Sequence, residues 1–560
     1  MRHKNSPWSC RDIRLGCPGL GEARPHAARR LNSIATAPLT KRIPPLCWIL
    51  LLLASSFLSA QQTPAPQKPE DIPNATSTPD ADDVPATIFK ARTDLVLVPV
   101  VVRGKHGDHI AGLTKDAFHL EENGKEQTVS LFEELQAAAV DTPPTAVLDR
   151  GYSNLPFDDT HQLRLTIMVL DLLNTTPVQR TDARDLLIKF LSNGLAHNQP
   201  VSLLCITSKD LLLVHPFTSD TSVLIAALKN LSLGAARIMP LRDAAEKTLK
   251  ELTEIAQGYI GIPGRKTMIF AAGDLPSPQL FPGTNPVNLL WPEEFHQTFK
   301  SLIDANIAVY PFEPMAWSRA PTFTNPRDSQ NLRDSDQSLR EFADATGGNR
   351  CIESNELMKC FADAVEDSRS YYMLGFTVQP DDRKPGWRKL SVKVSAEHAN
   401  VRARTGFFYG NPAPSNPQSA RDAEINALAS PLAYSAVPMY VRVLPPAPAA
   451  SPAPTPGQKI KVEFVVTIPL SSIRIDPSNP NPLDLEIGAI ALTRDIREAG
   501  EFLHAVHAKP KPEALQQLAR TGIKLREKLD LLPGTYEVRF MVHDNTSNQI
   551  GTVVFPLDVK

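Results

Sequence analysis

Leu163-Arg164-Leu165-Thr166-Ile167-Met168-Val169-Leu170 runs into Asp171-Leu172-Leu173-Asn174-Thr175-Thr176, and this junction decides the fold. The first stretch is a short, near-continuous apolar run, which reads as a strand buried on both faces. The second is a loop at its carboxyl end. From Val178 to Leu195 the apolar residues Leu186, Leu187, Phe190 and Leu191 recur at helical spacing. The alternation continues. Apolar strands are predicted at Val201–Ile206, Leu211–Phe217, Thr267–Ala271 and Ile307–Phe312. Helices are predicted over 219–232, 239–257, 293–305, 336–346 and 354–367. Apolar strands alternating with amphipathic helices predict an α/β domain over 161–368, a doubly wound, mainly parallel sheet covered on both faces.

Outward from this domain the period changes to two. Upstream, 87–135 is a small β unit. It holds Leu95 to Val102, the turn Gly104-Lys105-His106-Gly107-Asp108, and Phe118 to Phe132 around Asn123-Gly124, a hairpin signal. Downstream, 369–410 carries Tyr371 to Phe376, Leu390 to Val394 and Val401 to Phe408. Because both β segments flank the α/β domain, they are expected to pair into one sandwich with that domain inserted between them. Residues 431–560 carry further short alternating strands and predict an immunoglobulin-like sandwich. Linkers are predicted at 61–86, 136–160 and 411–420. The chain has 51 prolines against 27 glycines, many clustered at these boundaries.

Lys41 and Arg42 precede an apolar run, Leu46 to Leu53, that ends in small residues near Ala60. Residues 1–60 therefore read as an export signal, or as an N-terminal anchor, and no span is expected in the mature chain. The body would lie outside the cytoplasm: periplasm, cell surface or medium. Of six cysteines, Cys205, Cys351 and Cys360 lie beyond this leader. Cys205 sits in an apolar strand and reads as a small buried hydrophobe. Cys351 and Cys360 leave a disulfide open. The formal charge of −2, from 59 basic and 61 acidic residues, gives no field to draw nucleic acid.

Several short pieces together resemble the von Willebrand factor type A-related domain family of exported acidobacterial proteins. They are Gly112-Leu113-Thr114-Lys115-Asp116-Ala117-Phe118, Glu122-Asn123-Gly124-Lys125-Glu126-Gln127, and Pro263-Gly264-Arg265-Lys266-Thr267-Met268-Ile269-Phe270. Further pieces are Leu339 to Gly348, Tyr371 to Phe376 and Arg402 to Phe407. The resemblance covers about 90–410. It implies a type A fold with a divalent cation at the carboxyl edge of the sheet. There Asp-x-Ser-x-Ser, a Thr and a later Asp supply the hard oxygen ligands such an ion needs. Asp171 matches the leading Asp and Thr175 the second Ser, whereas Leu173 stands in place of the first Ser. Gly234-Ala235-Ala236-Arg237 offers no hydroxyl, and Asp274 lies beyond the usual position of the last Asp. The candidate metal ligands are therefore Asp171, Thr175 and Asp274, forming a degenerate site for Mg²⁺ or Mn²⁺. The competing reading has Asp171 and Thr175 capping the loop and the first helix, with no cofactor.

Other motifs are discounted. Gly258 to Thr267 looks like a phosphate loop, but its spacing is wrong and it runs from helix to strand. His106, His109 and His119 fit a solvated turn. No nucleophile elbow, HExxH or Cys–His signature appears. The sequence thus predicts a non-catalytic binding or adhesion-type protein. Loops 172–177, 272–292 and 313–335 would engage a protein or peptide partner, with no nucleic acid. The alternative is an envelope scaffold whose type A edge is inert.

Overall fold

The structure, a computed structural model, describes residues 95–136, 151–155, 164–195, 199–234, 239–273, 275, 292–314, 326–352, 356–378, 386–410, 417–445, 457–477 and 479–560. In chain order the first strands are β1 (Leu95–Arg103), β2 (Phe118–Glu122), β3 (Lys125–Gln127), β4 (Leu131–Gln136) and β5 (Tyr152–Ser153). The α/β unit follows: β6 (Leu165–Asp171), α1 (Pro177–Asn193), β7 (Val201–Ile206), β8 (Leu211–Thr218), α2 (Thr221–Asn230) and α3 (Leu241–Tyr259). It continues with β9 (Lys266–Ala271), α4 (Pro292–Asp304), β10 (Ile307–Phe312), α5 (Pro326–Thr346) and α6 (Leu357–Asp367). Then come β11 (Ser370–Thr377), β12 (Gly386–Val394), β13 (Asn400–Ala403), β14 (Gly406–Tyr409), α7 (Pro417–Ala429) and β15 (Tyr440–Val443). The chain ends with β16 (Ile460–Ile468), β17 (Leu483–Thr493), β18 (Glu498–Ala508), α8 (Pro512–Thr521), β19 (Ile523–Leu531), β20 (Gly534–Asp544) and β21 (Gln549–Val559).

The central sheet has the order β10-β9-β6-β7-β8. Its first four strands are parallel, and β8 runs antiparallel to β7. The connection from Ile206 to Leu211 is too short for a crossover, so the chain can only turn back on itself. Every residue of β6, β7, β9 and β10 is buried. Alternate residues of β6 face opposite cores, as the pleat requires. Leu165, Ile167 and Val169 meet Leu249, Leu252, Phe295 and Phe342 of α3, α4 and α5. Met168 and Leu170 meet Leu187, Phe190, Leu224 and Phe361 of α1, α2 and α6. The helix predicted at 336–346 begins earlier, at Pro326, so part of the segment read as the loop 313–335 is helical.

The N-terminal strands and β11–β14 make two antiparallel sheets, β13-β1-β11-β4 and β14-β12-β2-β3. They share one core of Val98, Val100, Val102, Phe118, Leu120, Tyr372 and Leu374. Gln136 at the end of β4 pairs with Ser370 at the start of β11. The chain therefore leaves this unit and re-enters it at adjacent strands, with the α/β unit between. The hairpin between β2 and β3 turns at Asn123 and Gly124, with φ of 49° and 79°. Asn and Gly tolerate two successive positive φ angles best, hence the dipeptide.

The C-terminal unit also has two four-stranded antiparallel sheets, β19-β16-β15-β5 and β18-β17-β20-β21. Phe464, Phe540 and Phe555 meet between them. Described parts of two segments expected to be linkers belong to this unit. Within 136–160, Tyr152 and Ser153 pair with Val441 and Tyr440. Within 411–420, the described residues 417–420 open α7, whose Ala427 and Leu428 pack on Ile490, Met541 and Ile550. The strands β18 and β19 and the helix α8 are further elements that the sequence reading did not place.

Buried ties join the units. Between the N-terminal unit and the α/β unit, Asp367 accepts Arg103 Nε at 2.7 Å, Arg402 Nη1 at 2.8 Å and Tyr310 Oη at 2.6 Å. Within the C-terminal unit, the Asn154 amide, just after β5, donates to Tyr434 O and Val437 O and accepts from Met439 N, and the second junction, between the α/β and C-terminal units, is made at Ser435. Ser435 Oγ donates to Gly258 O and accepts from Gly261 N. A Cβ on Gly261 would sit 1.7 Å from Ser435 O, so only glycine lets the two backbones touch. Cys351 and Cys360 are disulfide-bonded and tie α6 to the strand edge where Cys351 bridges Phe312. Cys205 is buried, and burial pushes its thiol up to about 12.

Glu254 of α3 lies at this second junction. Burial, then the Glu251 charge, push its carboxyl up to about 7 against the Ser430 bond and the charges of Lys250 and Lys247. The folded chain thus holds this proton more tightly than the unfolded chain does. The stability it supports is present below the ordinary glutamate range and falls as pH rises towards about 7. Glu254→Gln is expected to stabilise the chain by about 2 kcal/mol at pH 8 and hardly at all at pH 4. Thermal midpoints across pH check this; an equal gain at both pH values would assign the effect to packing instead.

Candidate functional site

The carboxyl edge of the central sheet is where an open α/β sheet presents ligands. Asp171, the last residue of β6, is 1% exposed there. Its Oδ1 accepts the backbone N–H of Leu173 at 2.8 Å and of Asn174 at 3.1 Å. Its Oδ2 accepts Asn174 Nδ2 at 2.7 Å and Thr248 Oγ1 at 3.0 Å. Asn174 Nδ2 also reaches Thr248 Oγ1, at 2.9 Å. Burial pushes the Asp171 carboxyl above its ordinary range, and these four bonds only partly oppose the rise. The nearby cation is Arg180, on the first turns of α1. Its guanidinium donates to Leu172 O and, at 3.0 Å, to Leu233 O. Burial lowers the Arg180 pKa, and the Asp171 charge opposes that fall.

The local sequence builds this arrangement. Thr176 caps α1: its Oγ1 accepts Gln179 N and its own N–H donates to Gln179 Oε1, with Pro177 opening the helix. Thr175 Oγ1 donates to Asp171 O and so closes the loop on itself. After β9, Gly273 lies so close to this loop that a Cβ would stand 2.3 Å from Asn174 O.

Of the predicted metal ligands, the structure brings Asp171 and Thr175 together, and Asp274 lies outside the described residues. The described pair does not fit a hard cation. Both carboxylate oxygens of Asp171 are taken by donors, the Thr175 hydroxyl is turned to a backbone carbonyl, and Leu173 supplies no oxygen. Two donors place their hydrogens on Oδ2, one side of the carboxylate where an ion would bind. Among the described residues no group of three or more His, Cys, Asp or Glu is placed to hold a metal. His109 instead meets Glu134 at 3.2 Å and stacks on Tyr372, while His119 meets Ser395.

Sequence reasoning missed Thr248, Arg180 and Gly273. Thr248 had one signal: a hydroxyl on the stripe Ala244, Ala245, Leu249, Leu252, Ile255 that α3 buries. Val178, beside the loop on α1, is 57% exposed, an apolar side chain left open at this edge.

No family model and no curated protein sequence matches the chain. Among solved structures it is similar to an aerotolerance-related membrane protein from Bacteroides fragilis, at 16% identity and a TM-score of 0.23. That match covers 36% of this chain and 98% of the other. It is also similar to proximal thread matrix protein 1 of the mussel byssus in two structures, both at 8% identity. Their TM-scores are 0.23 and 0.22, and they cover 37% of this chain and 48% and 47% of those. At these scores the likenesses bear no weight for function.

Proposed function

We propose that this chain is an exported, non-catalytic binding protein of the von Willebrand factor type A kind, which engages a protein partner without a bridging cation. The reading takes the central unit as a type A fold and the C-terminal unit as an immunoglobulin-like spacer. The observation that carries it is the saturated carboxylate of Asp171, whose bonds to Asn174 and Thr248 stand where a cation-dependent site needs free oxygens. A metal-free rim recognises a partner by shape and apolar contact, and Val178 supplies an apolar contact beside the 172–177 loop. The disulfide and the apolar N-terminal run are in keeping with an oxidising compartment. No helix of the described residues is long and apolar enough to cross a membrane.

The test is capture of envelope proteins on the immobilised full chain, with Mg²⁺ or with EDTA. The same partner should be retained in both, and Val178→Asp should cut its affinity about tenfold or more with the thermal midpoint unchanged. Capture that needs the cation, or turnover of a substrate by the purified chain, would overturn the reading.

A further inference from the structure

A cleft of about 590 Å³ opens where the α/β unit meets the C-terminal unit. It lies at the amino edge of the central sheet, beside Pro200 before β7 and Thr218 at the end of β8, away from Asp171. Its volume falls within the range of about 300–1,000 Å³ typical of small-molecule sites, which favour domain junctions. The walls are fixed. Tyr259 is buried, its hydroxyl 3.0 Å from Ser202 Oγ, which in turn donates to His215 O. Phe217 lies against the Tyr259 ring at a centroid distance of 5.1 Å. Leu432, from the opposite unit, is pressed onto Gly258, where a Cβ would come within 2.9 Å of it. Val554 of β21, 38% exposed, borders the cleft. Two separate units thus build one lined space, with aromatic and aliphatic side chains on most of its surface.

One lining residue is charged: Asp220. Its Oδ1 caps α2, accepting Ser222 N at 2.9 Å and Ser222 Oγ at 2.6 Å. Its Oδ2 takes no hydrogen bond from the described residues, so a negative oxygen remains at the rim. The Ser222 bonds also hold this carboxyl below its ordinary value.

We infer that this cleft is a second binding site, for a small, mainly apolar molecule ending in an ammonium group. The apolar body packs against Tyr259, Phe217 and Leu432, and the ammonium meets Asp220 Oδ2. Nothing in this depends on the carboxyl edge of the sheet, so the site stands or falls apart from the partner-binding reading.

Calorimetry on the full chain with 3-phenylpropylamine, 3-phenylpropanol and 3-phenylpropanoate tests it. The amine is expected to bind about two- to fivefold more tightly than the alcohol, and the carboxylate more weakly than the alcohol, as an exposed carboxylate at the rim supports. Asp220→Asn, which keeps a good helix cap, should bring the amine down to the level of the alcohol. Val554→Trp, at a partly exposed position, should abolish binding of both while the thermal midpoint holds. Binding of the carboxylate as tight as that of the amine would overturn the inference. So would amine binding that survives Val554→Trp, or no binding of the amine at all by the wild-type chain.

Discussion

Asp367→Ala is expected to cost about 3–5 kcal/mol, among the largest losses from any single substitution in this chain. The carboxylate is fully buried at the end of α6, where three elements from two units converge on it. Arg103 comes from β1, Arg402 from β13 and Tyr310 from β10. Truncation removes one anion and leaves the buried Arg103 with Asp363 alone, the part-buried Arg402 without its carboxylate and the buried Tyr310 hydroxyl without its acceptor. Breaking such a cluster costs more than forming it gained, because the arginines stay charged and largely withdrawn from solvent. Asp363 gives the contrast. It meets the same Arg103 at 2.8 Å, but its side chain is 30% exposed and water replaces it readily. Asp363→Ala should therefore cost no more than about 1 kcal/mol. Because Asp367 links the N-terminal unit to the α/β unit, urea unfolding of Asp367→Ala should also separate into two transitions. Equal, small losses for the two variants would show that this cluster does not hold the units together.

The parts of the fold that were legible are those whose signal is local. β6, β7, β9 and β10 are buried on both faces, so each reads as an unbroken apolar run without knowledge of its neighbours. Asn123-Gly124 announces its own hairpin. The missed elements depend on distant partners. Tyr152 and Ser153 are a strand only because Val441 and Tyr440 lie beside them, and Asn154 is anchored by residues about 280 positions away. No propensity in six residues carries that. β19 was different: Ile523, Leu525, Leu529 and Leu531 alternate with charged residues, a half-buried strand open to a period-2 reading. At the rim, Asp171 and Thr175 were found because a motif names their spacing. Thr248 lies 77 positions from Asp171 and joins it only once α3 is packed.

The rim itself supplies the second large effect. Asp171→Ala should destabilise the chain by about 3–5 kcal/mol, because four donors lose their acceptor at once and Arg180 loses its counter-charge. Asp171→Asn should fall between, at about 1–3 kcal/mol. One amide oxygen still serves the N–H groups of Leu173 and Asn174, but the new NH₂ points at the Asn174 amide and Thr248. Thr248→Val removes one bond and should cost about 1–2 kcal/mol. Divalent cation separates this network from an ion site. A ligand present at a hundred times its Kd would stabilise the folded chain by about 2.7 kcal/mol. With the Asp171 oxygens already occupied, Mg²⁺ or Mn²⁺ should leave the wild-type midpoint where EDTA leaves it. A rise in that midpoint with Mg²⁺, absent from Asp171→Ala, would mean that the Asn174 amide swings out to admit a cation, and the metal-free reading would fail.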